Sequence, residues 1–232
     1  MENCGVIMGW LLGVLRKEQV GSVGVLPTAI YLFNEPNGAT TATNTASNPI
    51  GLIGFWNNAV ISTAQAYEGS ASLYLHDTGN GFLGYYPSSD SGNSTVTGRS
   101  FYISVAFRLK YASDSSQRGL IYANNTSGVL LFRAYIQNGQ VRCFVSQVDG
   151  TTYTVTVPNL NCAVDTWYKL EISRDIATSQ FKVKVGVDEV TQTLTADFAN
   201  PINRVDAGAY WDGAGFIGYF DRFIYQASPI HS

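Results

Sequence analysis

After Thr28 the chain is a series of short runs in which apolar residues fall at every second position, broken by Gly, Asn, Asp, Ser and Pro. The clearest run is 101–111, where Phe101, Ile103, Val105, Phe107 and Leu109 alternate with Tyr102, Ser104, Ala106, Arg108 and Lys110. A period of two sustained this long predicts a strand with one buried and one wetter face, as in an antiparallel sheet. Shorter runs predict strands at 29–33, 72–75, 81–86, 119–123, 128–137, 140–148, 151–157, 166–173, 180–187, 204–210 and 215–226. Asn138-Gly139 and Asp149-Gly150 sit between such runs and predict two tight hairpins of the same kind. Residues 34–49 and 88–98 carry no apolar period and read as polar loops. No segment has the spacing of an amphipathic helix, so the pattern predicts an all-β, two-sheet antiparallel β-sandwich or barrel.

The front of the chain breaks this pattern. Gly5–Leu15, GVIMGWLLGVL, is apolar throughout. A secretory signal carries its positive charge ahead of the apolar stretch, whereas here Glu2 precedes it and Arg16 and Lys17 follow. A membrane-spanning helix needs about 20 apolar residues, more than this run supplies. Residues 1–27 are therefore expected to form an apolar arm and linker, with Ile7, Trp10, Leu11, Leu12 and Leu15 as its docking side chains, ahead of a single sandwich over 28–232.

Composition narrows the function classes. The charged fraction is 13%, the aromatic fraction also 13%, and the net charge is −3, so there is no basic footprint for nucleic acid. The three cysteines, Cys4, Cys143 and Cys162, have no zinc-like spacing. Cys143 lies in an apolar run and is expected to be a buried thiol, with a Cys143–Cys162 bridge as the alternative. His76 and His231 are too few for a histidine-based metal or acid–base site.

DTWYKLEISRDIATSQFKVKVGVDEV (165–190) and the closing GFIGYFDRFIYQ (215–226) resemble the concanavalin A-like lectin/glucanase superfamily, in its laminin-G-like (LamG, pentraxin-like) branch. Trp167 takes the place of the Trp that opens a strand, and Val187-Asp188 that of a turn, with Glu189 departing from the usual Gly. Gly218, Asp221 and Tyr225 take the places of the final strand's motif. Residues 29–35 and 66–75 resemble the first strand and a later Gly-containing strand. The resemblance covers about 28–228 and implies a jelly roll.

That resemblance brings three chemistries into view. Retaining glucanases need two carboxylates about 5–5.5 Å apart; no run here carries two acids on one inward face, so no catalytic residue is assigned and no enzyme is expected. Ca²⁺ is held at loop carboxylates in relatives; 76–81 and 88–94 have the oxygen donors but are equally ordinary turns, and no metal or other cofactor is assigned. Saccharides need aromatic platforms beside directed polar groups. Tyr210, Trp211 and Asp212, with Trp56, Tyr85 and Tyr86, sit in Gly-flanked segments that read as loops and are the candidate carbohydrate- or partner-binding residues; for the Trp211 group, a packing role and a protein interface stay open beside glycan binding. The sequons at Asn93, Asn124 and Asn125 read as chance in an Asn/Thr-rich chain. Together these readings predict a non-enzymatic component of a larger assembly, foremost a phage virion protein of decoration, head-fibre or tail type. It would be multi-copy, docked onto other virion proteins through residues 1–20 and exposed outside the cell, touching surface glycans, with no nucleic acid and no membrane span. The alternatives are a carbohydrate-binding module, secreted by a route not visible in the sequence, and a polysaccharide-active enzyme.

Overall fold

The computed structural model describes residues 29–46, 52–75, 81–86, 100–125, 127–198, 202–208 and 215–227. The apolar arm lies outside them. The described residues form fifteen strands and no helix. They are β1 Ala29–Tyr31, β2 Leu52–Trp56, β3 Val60–Ser62, β4 Ser72–Leu75, β5 Phe82–Tyr86, β6 Phe101–Leu109, β7 Arg118–Asn124 and β8 Leu130–Gln137. These are followed by β9 Gln140–Ser146, β10 Thr152–Thr156, β11 Trp167–Asp175, β12 Gln180–Val185, β13 Asp188–Thr193, β14 Arg204–Ala207 and β15 Gly218–Ala227. One sheet runs β13-β12-β11-β6-β15-β4-β3, with β1 also paired to β15; the other runs β10-β9-β8-β7-β14-β5-β2. All strand pairs are antiparallel, and the two sheets pack as a sandwich.

The alternation in 101–109 buries the face it predicts, while the other face is wetter only at Tyr102 and Arg108, Ser104 and Ala106 being buried as well. Phe101, Ile103, Val105, Phe107 and Leu109 are each at most 4% exposed, burying one face of β6 between β11 and β15. Phe101 stacks on Phe132 of the opposite sheet at 5.5 Å between centroids, and Phe132 meets Phe181 edge-on at 5.6 Å. Toward the other side, Tyr85 is packed against Tyr31, Phe223 and Tyr225 at 5.1–6.3 Å. Offset and edge-on rings of this kind add to the burial of their area.

Turn chemistry settles several boundaries. Asn138 and Gly139 both take positive φ, 51° and 77°, the conformation of a two-residue type I′ hairpin. The second hairpin differs from the first. Only Gly150 is left-handed there, its N–H donating to the Gln147 carbonyl, and β9 ends at Ser146 instead of Val148. Buried Gln147 is diverted, its Oε1 accepting the N–H groups of Thr195 and Ala196. Likewise the turn before β13 falls at Gly186-Val187, one residue ahead of Val187-Asp188, because Gly186 supplies φ +61°. Asp188 and Glu189 then open β13. The polar stretch at 34–46 is irregular but tied down: Asn44 Oδ1 accepts Ile30 N–H and Ala46 N–H, and Ile61 N–H reaches Ala39.

The Asp of the closing strand has a structural post. Asp221 is fully buried, at a break in register between Asp221 and Ile224 where Arg222 takes φ +48°. Its oxygens accept the backbone N–H groups of Tyr67, Glu68 and Arg222 at 2.7–3.0 Å. Burial nevertheless pushes its carboxyl up to about 6. Cys143 and Cys162 are both buried and free, so of the two sequence alternatives the thiols hold; burial raises the Cys162 thiol to about 12 and the Cys143 thiol further. Asn125 is 2% exposed, its carboxamide oxygen accepting Ser127 and Val129 N–H, so burial closes the side chain of its sequon to modification in the folded chain.

Candidate functional site

The outer face of the seven-stranded sheet is set by parity. In β5, Leu83 and Tyr85 are buried in the core, so Phe82, Gly84 and Tyr86 face outward. Register carries this across the sheet: Gly84 pairs with Gly54 of β2 and with Asp206 of β14, and Trp56 pairs with Phe82. Trp56 therefore lies on a strand, not on a loop as its Gly-flanked context predicts. Tyr86 stands beside it on the same face. Tyr85 does not: it is 0% exposed inside the sandwich, and its candidacy as a surface ligand contact is withdrawn. Tyr210, Trp211 and Asp212 lie outside the described residues, as do Ile7, Trp10, Leu11, Leu12 and Leu15 of the arm and the oxygen-rich turns at 76–80 and 88–94.

Two glycines make the platform. A Cβ at Gly54 would collide with the Trp56 indole, and one at Gly84 would come within 2.7 Å of it and within 3.0 Å of Asp206 Oδ1. The indole thus folds back over bare backbone. It stacks on Phe82 at 5.2 Å and 8° and meets Tyr86 edge-on at 5.9 Å. Above these rings sits Arg204, its Cζ 5.6, 5.1 and 5.3 Å from the Trp56, Phe82 and Tyr86 centroids, inside cation–π range. Arg204 Nε–H donates to Asp206 Oδ1 at 2.6 Å. The Asp206 side chain is only 6% exposed and that of Arg204 27%. Burial is the larger influence on Asp206 and pushes its carboxyl up to about 6, against the pull of Arg204. Trp56, Phe82 and Tyr86 are all half-buried.

The cluster is an aromatic platform beside a planar, directed donor and a carboxylate, chemistry suited to a ligand with apolar faces and oriented hydroxyls. Asp206 is the one acidic residue in the seven strands of this sheet, so those strands supply no carboxylate pair for glycoside hydrolysis. No group of three or more metal-ligating side chains occurs among the described residues. No helix there is long and apolar enough to cross a membrane. Phe82, Arg204 and Asp206 were not singled out from sequence. The usable signal was the spacing of two between Arg204 and Asp206, which puts both on one face of a strand.

No family model matches the chain, and no curated protein matches it. Solved structures do. The botulinum neurotoxin serotype G binding domain superposes with a TM-score of 0.63 at 11% identity, over 86% of this chain and 47% of that one. The binding domain of Paraclostridial Mosquitocidal Protein 1 gives 0.62 at 9%, over 88% and 48%. Domain 4 of AbnA, a GH43 extracellular arabinanase from Geobacillus stearothermophilus, in complex with arabinotriose, gives 0.61 at 15%, over 88% and 93%. The chain thus spans about half the length of the two toxin binding domains and nearly all of the arabinanase domain. At these identities the likeness is one of fold. The class is an all-β, two-sheet antiparallel sandwich, a fold shared with these toxin binding domains and the arabinanase domain.

Proposed function

We propose that this chain is a non-enzymatic binding and adhesion component of a larger assembly. Its sandwich recognises saccharide through Trp56, Phe82, Tyr86, Arg204 and Asp206, and its apolar arm is the attachment point. One observation carries the saccharide reading: the Trp56 indole folds back over Gly54 and Gly84, with Arg204 lying over the rings and bonded to Asp206. A sandwich of the same fold holding arabinotriose supports it. A glycan array comparing the full chain with Trp56→Ala tests it. Binding to saccharides that falls about tenfold or more in the variant, as loss of a stacking surface requires, supports the site; no saccharide binding by either protein overturns it.

The assembly we infer is a phage virion, the chain being a decoration, head-fibre or tail component of laminin-G-like type. The support is the arm's composition, an apolar run of eleven residues at 5–15 that carries Trp10 ahead of the polar, Gly/Ser/Thr-rich remainder of the chain. Deleting residues 1–20 is expected to abolish incorporation into particles while leaving saccharide binding and melting unchanged. Normal incorporation of the truncated chain would overturn the docking role and favour a free-standing binding module.

A further inference from the structure

The eight-stranded sheet carries an aromatic feature of its own on its outer face. Ile61, Leu73, Phe220, Leu109 and Leu170 are buried in the core, so by parity Val60, Tyr74, Tyr219, Arg108 and Trp167 face outward. Register sets these five in one row across β3, β4, β15, β6 and β11. Four inter-strand steps of about 4.8 Å make the row roughly 19 Å long. All five side chains are half-buried.

The row is braced along its length. Tyr74 and Tyr219 lie ring against ring at 4.9 Å and 32°, and Lys110 Nζ donates to the Tyr74 hydroxyl at 2.7 Å. Arg108 lies over Tyr219, its Cζ 5.7 Å from the centroid, and is paired with Asp165 at 3.0 Å. At the far end Tyr67 leans on Trp167 at 5.8 Å and 58°. Tyr67 belongs to the loop that Asp221 clasps through the Tyr67 and Glu68 N–H groups. It is 41% exposed, so this end of the row is reachable from outside. The chemistry repeats that of the first platform: aromatic faces, with a guanidinium laid on a ring and held by a carboxylate. The layout differs. On the seven-stranded sheet three rings gather around one Arg204, a compact cluster suited to a single sugar. Here the rings are strung out at strand spacing, with directed polar groups between them. That layout suits consecutive sugars, each with an apolar face and a rim of hydroxyls.

Building on the saccharide reading above, we infer that this outer face is a second saccharide site. It takes an extended linear oligosaccharide lying across the strands, over Tyr74, Tyr219, Arg108 and Trp167. The strand spacing is of the order of one sugar unit in an extended chain, so consecutive units meet successive strands. The two platforms are on opposite faces of the sandwich, so one chain holds two saccharides at once.

The test is titration of the full chain and its Trp56→Ala variant with linear cello-, xylo-, manno- and arabino-oligosaccharides of about two to six units, and with a decaproline peptide. In the Trp56→Ala protein at least one series is expected to bind about tenfold or more tighter at the longest length than at the shortest, since added sugars meet added rings. That binding should fall about tenfold when Trp167→Ala or Tyr67→Ala is added. Tyr67→Ala keeps the backbone N–H groups on Asp221 and should leave the melting temperature near that of the parent. Binding that is abolished by Trp56→Ala, yet untouched by Trp167→Ala and Tyr67→Ala, overturns the second site and leaves the first standing. Binding by the Trp56→Ala protein that does not strengthen with length overturns the row as an extended site. Decaproline bound through Trp167, with no oligosaccharide bound there, overturns the saccharide assignment of this face. No saccharide binding by any of these proteins overturns both readings.

Discussion

Two buried aspartates, one on each sheet, carry the same perturbation and do different work. Asp221 of β15 and Asp206 of β14 are both raised by burial to about 6. Asp221 is enclosed by the backbone: three N–H groups converge on it, two of them from the 67–68 segment far along the chain. It is a clasp, holding a loop to a strand that bulges. Asp206 accepts from a side chain, Arg204, which is itself pinned by three aromatic rings at the surface. It is oriented toward what lies outside the sheet. A shifted carboxyl marks burial; its partners, main chain or side chain, tell whether the group serves the fold or a ligand.

The difference can be broken experimentally, beginning where the effect is greatest. Asp221→Ala leaves three backbone donors without their acceptor. It should cost about 2–4 kcal/mol of stability by chemical denaturation, the range for losing a buried hydrogen-bonded network. Asp206→Ala removes one side-chain partner and should cost clearly less. Equal losses would erase the distinction. Gly84→Ala pushes a methyl into the Trp56 ring and toward Asp206. The strain should cost about 1–3 kcal/mol and weaken saccharide binding with it, whereas no change in either would mean the platform is not seated on that glycine.

The pH dependence sharpens the same contrast. Between the unfolded value of 3.8 and the folded value of about 6, the native state keeps a proton on Asp206 that the unfolded chain has released. Stability from this group is therefore greatest below about 3.8 and falls as pH rises toward 6. Measured by melting temperature from pH 4 to 7, the wild type should lose ground to Asp206→Asn as pH rises; a gap that stays constant would contradict the assignment. The smallest effect is expected at the rim. The Lys182–Glu189 pair, at 3.3 Å with side chains 40% and 47% exposed, should contribute under about 1 kcal/mol. Lys182→Ala should accordingly leave both melting and saccharide binding near wild type.

How much of this was legible depended on contrast between alternating positions. In 101–109 one set is wholly apolar and the other carries Arg and Ser, so the buried face could be read directly. In β5 the sets are Phe82, Gly84, Tyr86 and Leu83, Tyr85; both contain aromatics, and nothing local says which faces in. Tyr85 was misplaced for that reason. The LIGFW of β2 is apolar at every position but its glycine, so Gly54 reads as a turn when it is a seat for an indole. Strands β3 and β13 escaped notice because three residues of VIS and the polar DEVTQT carry no hydrophobic period at all.

By itself the sequence determined the all-β class, most strand positions and the I′ turn at Asn138-Gly139, because these rest on periodicity and local φ preference. Tertiary structure alone decided the site. Arg204 meets Trp56 and Phe82 because β14, more than a hundred residues later in the chain, inserts between β5 and β7. Gly54, Gly84 and Asp206 share one row because register aligns β2, β5 and β14. Such pairings are set by the burial of the opposite face of each strand, a property of the completed core that no single run of residues contains.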